Sequence, residues 1–369
     1  MKVVIIIPTY NERDTILALL QALQEVSRPI RNHTIALLVV DDTSPDGTAD
    51  LVEEYGKSHG GIHLLRGKKE GLGRALLRGM VVATEQLHAR IIGQMDADLS
   101  HDPVVLPKFL AALDSGSDFV IGSRYIPGGS IPANWGFHRK LYSVIGNAIV
   151  RFGLGFTNVH DWTGGFRVYK KEYYELAKDK VKKHGGYVFQ IAFLYNAILH
   201  GAKITEVPIH FTDRRFGHSK IVPSQYVRDI LVYVFVQRVK RLIHGSFGKF
   251  SVVGTIGFII NTAVLEFMVK LNFHPAVGSV VGAELAIISN FILNNAWTFG
   301  SRRARGFRAM GKFFQFNMTS VGAILIQAGT VWTGTVLFGV AYYRWFYLVG
   351  VGIGLLWNYT MYSKVIWKK

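Results

Sequence analysis

The chain has 369 residues, room for two ordinary domains, and 49% of them are hydrophobic. It contains no cysteine, which excludes disulfides, thiolate metal sites and a cysteine nucleophile. The net charge of +17 lies mostly in the hydrophobic C-terminal part, where from Ile221 onward 15 Lys and Arg face three acids, so an anionic membrane surface fits better than nucleic acid.

Val3–Ile7 is an apolar run cut off by Pro8, too short for a signal peptide, and reads as a strand. Further strands are predicted at Ile35–Val40, Ile62–Leu65, Ile91–Met95 and Phe119–Ile121. Amphipathic helices are predicted at Arg13–Val26, Thr48–Lys57, Leu72–His88 and Pro103–Asp114. The alternation implies a Rossmann-like α/β domain with a mostly parallel sheet. Polar clusters follow the five strands: Pro8–Glu12, Asp41–Asp46, Arg66–Lys69, Asp96–Ser100 and Ser123–Tyr125. In open sheets of this kind ligands bind beyond the carboxyl ends of the strands, so the five clusters point to one shared site.

Ser224–His244 comes next. Tyr226, Ile230, Leu231, Val234, Phe235 and Leu242 can share a helical face, with Arg228, Arg238, Lys240 and Arg241 near its boundary. Such a helix either lies in a membrane interface or packs on the first domain. Four long, nearly uncharged segments then follow: Phe250–Val269, Ala276–Phe299, Phe313–Val340 and Trp345–Trp367. Each reaches the roughly 20 residues a helix needs to cross a bilayer. The expected layout is 1–222, an α/β domain; 223–246, an amphipathic linker; and 247–369, an all-α domain of four spans. Arg302, Arg303, Arg305, Arg308 and Lys312 sit between the second and third spans, whereas the opposite loops hold only Lys270 and Arg344. The positive-inside rule then places both termini and the first domain in the cytoplasm, at the cell membrane or, in a eukaryote, the endoplasmic reticulum.

Asp96-Ala97-Asp98 ends an apolar strand, and alternate residues of an extended segment point the same way. Two close carboxylates repel unless a cation lies between them, and hard oxygen ligands suit Mg²⁺ or Mn²⁺. Asp102-Pro103 has the form of an N-cap and first helical residue, which leaves the pair available. Phosphate fingerprints are missing: Gly71-Leu72-Gly73 is followed by Leu76 where a dinucleotide motif wants glycine, and no Walker sequence is present. Phosphates must therefore meet a metal and basic side chains, for which Arg124, Arg139, Lys140, Arg214, Arg215 and Lys220 are available. His101, His160 and His218 border these motifs without metal-ligand spacing.

Several motifs together resemble the dolichol-phosphate mannose synthases. They are Pro8-Thr9-Tyr10-Asn11-Glu12, Asp41-Asp42-Thr43-Ser44-Pro45-Asp46-Gly47-Thr48, Asp96-Ala97-Asp98-Leu99-Ser100-His101, Gly122-Ser123-Arg124-Tyr125, Thr163-Gly164-Gly165-Phe166-Arg167 and Phe216-Gly217-His218-Ser219-Lys220. The resemblance covers about residues 1–222 and implies an inverting family 2 glycosyltransferase with a GT-A fold. Glu284, Asn294-Asn295 and Trp297-Thr298-Phe299 resemble a GtrA-like four-helix membrane domain. By this resemblance Pro8, Tyr10, Glu12, Val40 and Asp42 line the base and ribose pocket. Asp96, Ala97 and Asp98 meet the sugar-nucleotide diphosphate and the metal, with Ser100 ligating directly or through water. Arg124, Arg139, Ser143, Arg214 and Lys220 hold phosphates of donor and acceptor, and Gln190 lies near the donor. The implied reaction moves mannose from GDP-mannose to dolichyl or polyprenyl phosphate with inversion. Two alternatives are a UDP-glucose-dependent glucosyltransferase and a non-enzymatic lipid-sugar transporter or anchor. An acceptor phosphate is already anionic near neutral pH, so no general base is needed. The sequence leaves the oligomeric state open.

Overall fold

The computed structural model describes residues 1–213, 223–273 and 275–368. The chain divides into two compact units, Met1–Gln237 and Arg238–Lys369, so the division falls inside the predicted linker.

The first unit is built on seven strands: β1 (Lys2–Thr9), β2 (Thr34–Asp41), β3 (Ile62–Arg66), β4 (Ile91–Gln94), β5 (Phe119–Ser123), β6 (Arg167–Lys170) and β7 (Ile204–Pro208). Their order is β3-β2-β1-β4-β6-β5-β7. All pairings are parallel except those of β6, which runs antiparallel to both β4 and β5. Side chains alternate across a strand, so β1 serves two cores. Val4 and Ile6 face one layer with α3 (Leu72–Val81) and α7 (Gly186–Leu199). Val3, Ile5 and Ile7 face the other with α1 (Arg13–Ser27) and α4 (Leu106–Asp114). α1 buries Ile16, Leu19, Leu20 and Leu23, the spacing of a one-sided helix. α3 approaches the sheet closely: a Cβ on Gly79 would stand 2.6 Å from Ile6 Cγ2 and 2.9 Å from Val40 Cγ2. It continues as a π turn over Val82–Gln86, close to the predicted helix end. The side chain of Asp102 accepts the Val104 N–H at 3.0 Å ahead of Pro103, as its sequence position suggests. The sheet is completed through α2 (Thr48–Ser58), α5 (Phe137–Leu154) and α6 (Lys171–Val181).

α8 (Pro223–His244) spans the division between the units. Ile230, Tyr233 and Val234 enter the core of the first unit, at i, i+3 and i+4. Leu231, Phe235 and Leu242 do not share that face. Ile230 is 1% exposed and Phe235 68%, so the helix splits the expected stripe into a packed side and an outward apolar side. The side chain of Tyr226 lies outside the described residues.

The second unit holds α9 (Ser246–Lys270), α10 (Pro275–Leu293), α11 (Phe307–Phe338) and α12 (Tyr343–Met361), where four spans were predicted. α10 ends in a π turn at Asn294–Thr298 and α12 in another at Tyr362–Ile366. α9 packs on α10 and α11 on α12. Among the described residues, Ser246–Met268 is the stretch that satisfies both length and apolarity for a bilayer span. Phe258, Leu325, Trp332 and Leu348 are exposed on this unit. A surface with so many large apolar side chains suits lipid better than water.

Candidate active site

The carboxyl ends of β1, β2, β4, β5 and β7 share one edge of the sheet, and the amino end of antiparallel β6 joins them there. The loops beyond these ends form the candidate site.

Asp41 knits two of the loops together. It is fully buried and accepts from Thr9 Oγ1 at 2.9 Å, Ser44 N at 2.8 Å and Ser44 Oγ at 2.6 Å. Its neighbour Asp42 receives Arg78 of α3, whose Nη2 forms an ion pair with Asp42 Oδ1. Arg78 Nη1 also reaches Glu70 Oε2 at 3.1 Å, while its buried Nε has no hydrogen-bond partner among the described residues. Burial raises the Asp42 carboxyl above its ordinary range despite the opposing pull of Arg78. Lys69 Nζ stands 3.4 Å above the Tyr10 ring. Glu12 Oε2 accepts the Thr15 hydroxyl at 3.3 Å, at the start of α1. Pro8 lies partly buried at the end of β1, and Val40 turns into the core beneath α3.

Past β4 the chain turns sharply at Leu99, whose φ is +59°. Asp98 is buried and its Oδ1 accepts the Ser100 N–H at 3.1 Å. Ser100 is fully buried, and its Oγ has no hydrogen-bond partner among the described residues. Asp96 is partly exposed and lies against Gly165, where a Cβ would meet Asp96 Oδ2 at 2.9 Å. Ala97 is buried between the two acids. His101 Nδ1 accepts the Asp96 N–H at 3.4 Å and lies 3.9 Å from Asp96 Oδ2. Its ring packs against Phe166 and Phe211, and burial pushes its pKa down although Asp96 and Asp98 oppose this.

Among the described residues no cluster of three His, Cys, Asp or Glu side chains gathers. The hard-oxygen set is two carboxylates and a buried, unpartnered hydroxyl. That set suits a small divalent cation that takes its remaining ligands from water and a substrate diphosphate.

Beyond β5, Arg124 is almost entirely buried and makes a bidentate pair with fully buried Asp161, Nε to Oδ2 at 2.7 Å and Nη2 to Oδ1 at 2.8 Å. Nη2 also donates to Thr163 Oγ1 at 2.8 Å, so Nη1 is the edge these bonds leave over. Asp161 takes three backbone donors as well: Arg124 N at 3.1 Å, Gly164 N at 2.9 Å and Thr163 N at 3.3 Å. Burial alone would raise its pKa, but the Arg124 guanidinium wins and holds it below the ordinary carboxylate range. Glu206 of β7 supports this loop by accepting the His160 and Asp161 N–H groups and His160 Nδ1. Arg167 is also fully buried. It donates to the carbonyls of Gly164, Trp162 and Gln190 at 2.6–2.8 Å, and burial lowers its pKa to about 10.

The remaining predicted residues are distributed as follows. Ser143 Oγ and Tyr125 OH are hydrogen-bonded at 2.5 Å. Arg139 lies 4.0 Å from the Trp135 ring centroid, and its Nη1 reaches Asp213 Oδ1 at 3.1 Å. Gln190 is buried in α7, donating to Gln94 Oε1 at 3.1 Å, and Gln94 in turn donates to Tyr169 OH. Arg214, Arg215, Lys220 and the Gly217–Ser219 turn lie outside the described residues. Asp96, Asp98, Arg124 and Asp161 all lie close enough to His101 to act on its charge. Asp42 follows β2, a strand two places from β4 and about 10 Å along the same edge. Sequence reasoning missed Arg78, Asp161 and Glu206. The signal for Arg78 was a cation on the rim-facing side of α3. Asp161 and Glu206 carried none beyond their charge.

The profile of Glycosyl transferase family 2 matches residues 4–176, and that of the GtrA/DPMS transmembrane domain matches residues 249–367. A dolichol-phosphate mannosyltransferase of Pyrococcus furiosus is 31% identical across 100% of this chain and 99% of its own length. A polyprenol monophosphomannose synthase of Mycolicibacterium smegmatis is 38% identical over 60% of this chain and 82% of its own length. A crystal structure of glucosyl-3-phosphoglycerate synthase from Mycobacterium tuberculosis, with Mn²⁺, uridine diphosphate and phosphoglyceric acid, is 16% identical with a TM-score of 0.48, over 64% of this chain and 78% of that one.

Proposed function

We propose, from the premise that this chain belongs to the polyprenol-phosphate mannosyltransferases of glycosyl transferase family 2, that it moves mannose from GDP-mannose to a polyprenyl phosphate with inversion at the sugar. The observation that carries this reading is the pair Asp96, which lies against Gly165, and Asp98, which accepts the N–H of buried Ser100, on the rim that also holds Arg124.

Asp96 and Asp98, with the Ser100 hydroxyl, would hold Mg²⁺ or Mn²⁺. When bound, the cation supplies positive charge to the departing diphosphate. Asp42 and Arg78 present an acceptor beside a donor. Such a pair can meet the N1–H and O6 of guanine, and equally the N3–H and O4 of uracil, so it supports a base pocket and the donor follows from the family. Arg124, fixed by Asp161, holds a permanent positive charge near the phosphates. Arg139 and, from the adjoining segment, Arg214 and Lys220 draw in the acceptor phosphate against like-charge repulsion. An oxygen of that phosphate forms the new bond to the anomeric carbon. The bond to GDP breaks, and GDP leaves with the electron pair. The nucleophile arrives already ionised, so positioning and charge stabilisation carry the catalysis. The helical unit anchors the enzyme in the bilayer, with the basic segment Arg302–Lys312 and the first unit on the cytoplasmic side.

The test uses the purified full-length protein, a polyprenyl phosphate and labelled GDP-mannose or UDP-glucose. GDP-mannose should be the preferred donor, and both Asp98→Ala and chelation should abolish transfer while leaving membrane insertion intact. Preference for UDP-glucose would replace the donor assignment. Full turnover in excess chelator would remove the metal, and no transfer from any donor would favour a transporter or anchor.

A further inference from the structure

Among the described residues, several cations of the helical unit have no carboxylate beside them. Arg302 lies just past the Asn294–Thr298 π turn, and its Nη1 donates to the carbonyls of Ser363, at 3.2 Å, and Trp367. Its guanidinium stands 6.0 Å from the Phe299 ring centroid. Lys312, early in α11, has its Nζ 5.9 Å from the Trp367 ring. Phe299 and Trp367 stack at 4.7 Å, so the two cations approach one aromatic pair. Lys249, in the first turn of α9, stands 5.7 Å from Trp297 in the same π turn.

These positions are built into the fold. Asn295 Oδ1 accepts from Ala304 N at 2.8 Å and Trp367 Nε1 at 3.0 Å, and its Nδ2 donates to Ala304 O at 3.0 Å. One buried side chain thus ties the Arg302 loop to the end of the chain. Phe250, Phe291, Phe299, Phe316, Tyr362 and Trp367 form the core beneath it.

None of Lys249, Arg302, Arg308 and Lys312 has a carboxylate partner among the described residues. The nearest acids along their own helices are remote: Glu266 lies about 25 Å along α9 from Lys249, and Glu284 about 15 Å before the π turn. Burial lowers the Lys312 ammonium below its ordinary pKa, and Arg302 and Arg308 add to this. Holding cations together beside apolar surface is unfavourable unless an anion completes the group.

We infer that Arg302, Arg308 and Lys312 form a binding site for a lipid-borne phosphate. The guanidinium and ammonium groups match phosphate oxygens, and the surrounding exposed apolar helices suit the attached chain. The phosphate comes either from an anionic bilayer lipid or from a polyprenyl phosphate.

Thermal unfolding of the full-length protein in an uncharged detergent tests this, with phosphatidylglycerol, phosphatidylcholine or polyprenyl phosphate added. Phosphatidylglycerol should raise Tm by several degrees over phosphatidylcholine if the site takes bilayer lipid. A gain from polyprenyl phosphate alone would assign it to that lipid. In either case Arg308→Gln/Lys312→Gln should lose the gain. Lys312→Gln should also raise Tm without added lipid, because it relieves repulsion, a sign that loss of packing would not produce. Equal gains from phosphatidylcholine, no gain from either phosphate lipid, or an undiminished gain in the double variant would overturn the site.

Discussion

Replacing Asp161 by alanine should be the most damaging single change in the rim of the first unit. The carboxylate is fully buried and accepts two side-chain bonds from Arg124 and three backbone bonds, all within 2.7–3.3 Å. Asp161→Ala leaves the Arg124 guanidinium buried without its counter-charge. Breaking a buried ion pair by removing one partner costs about 3–5 kcal/mol. For a unit of this size each kcal/mol moves Tm by roughly 2–4 °C, so a drop of about 10 °C is expected. Asp161→Asn, which keeps the shape and one carbonyl oxygen, should fall between. Arg124→Ala combined with Asp161→Ala should be less unstable than the sum of the single changes, because the stranded charge is gone. The assay is thermal unfolding of the detergent-solubilised protein, with transfer measured on the same samples. A Tm within about 3 °C of the parent for Asp161→Ala, or strict additivity in the double variant, would refute the claim that this pair holds the rim loop.

Gly165→Ala should cost transfer more than stability, since its Cβ would displace the Asp96 carboxylate; retention of full kcat with normal metal dependence would argue against that contact. Arg78→Met removes the cation from Asp42 and should weaken nucleotide binding about tenfold by calorimetry with little change in unfolding temperature; an unchanged affinity would remove Arg78 from the base pocket. Gly79→Ala should cost about 1–3 kcal/mol through overpacking against Ile6 and Val40, read as a lower unfolding temperature with an unchanged KM. Asp118 gives a pH test. Burial would raise its pKa, but the Lys170 ammonium at 2.6 Å and the Lys203 N–H outweigh that and lower it below 3.8. Its stabilisation is therefore present above that value and lost as pH falls through the lower folded-state pKa. With Lys170 over a third exposed, the effect is about 1 kcal/mol or less, and Asp118→Asn should flatten the acid limb of the stability curve by that amount.

Much of the architecture was legible because it is written in neighbouring residues. Apolar runs such as Val3–Ile7 and one-sided patterns such as Ile16, Leu19, Leu20 and Leu23 encode strands and helices through side-chain period. The strand-end clusters, the Asp96/Asp98 pair, the Asp102 cap and four long apolar helices could all be read in this way. The sequence did not reveal α5, β6, α6, α7 and β7, least of all that β6 turns antiparallel between β4 and β5, because period does not specify a pairing partner. It also placed Leu231 and Phe235 with Ile230 on one face of α8, whereas packing divided them.

What the sequence by itself determined was therefore the local chemistry: which segments are strands, helices or apolar spans, and which acids and bases stand at their ends. Only the tertiary structure decided how those charges pair. Arg124 meets Asp161 across 37 residues and Asp42 meets Arg78 across 36, while Gln190 withdraws into a buried amide chain with Gln94. A charge carries no mark of its eventual partner. The partner is chosen when the sheet closes and burial makes an unpaired ion too costly to keep.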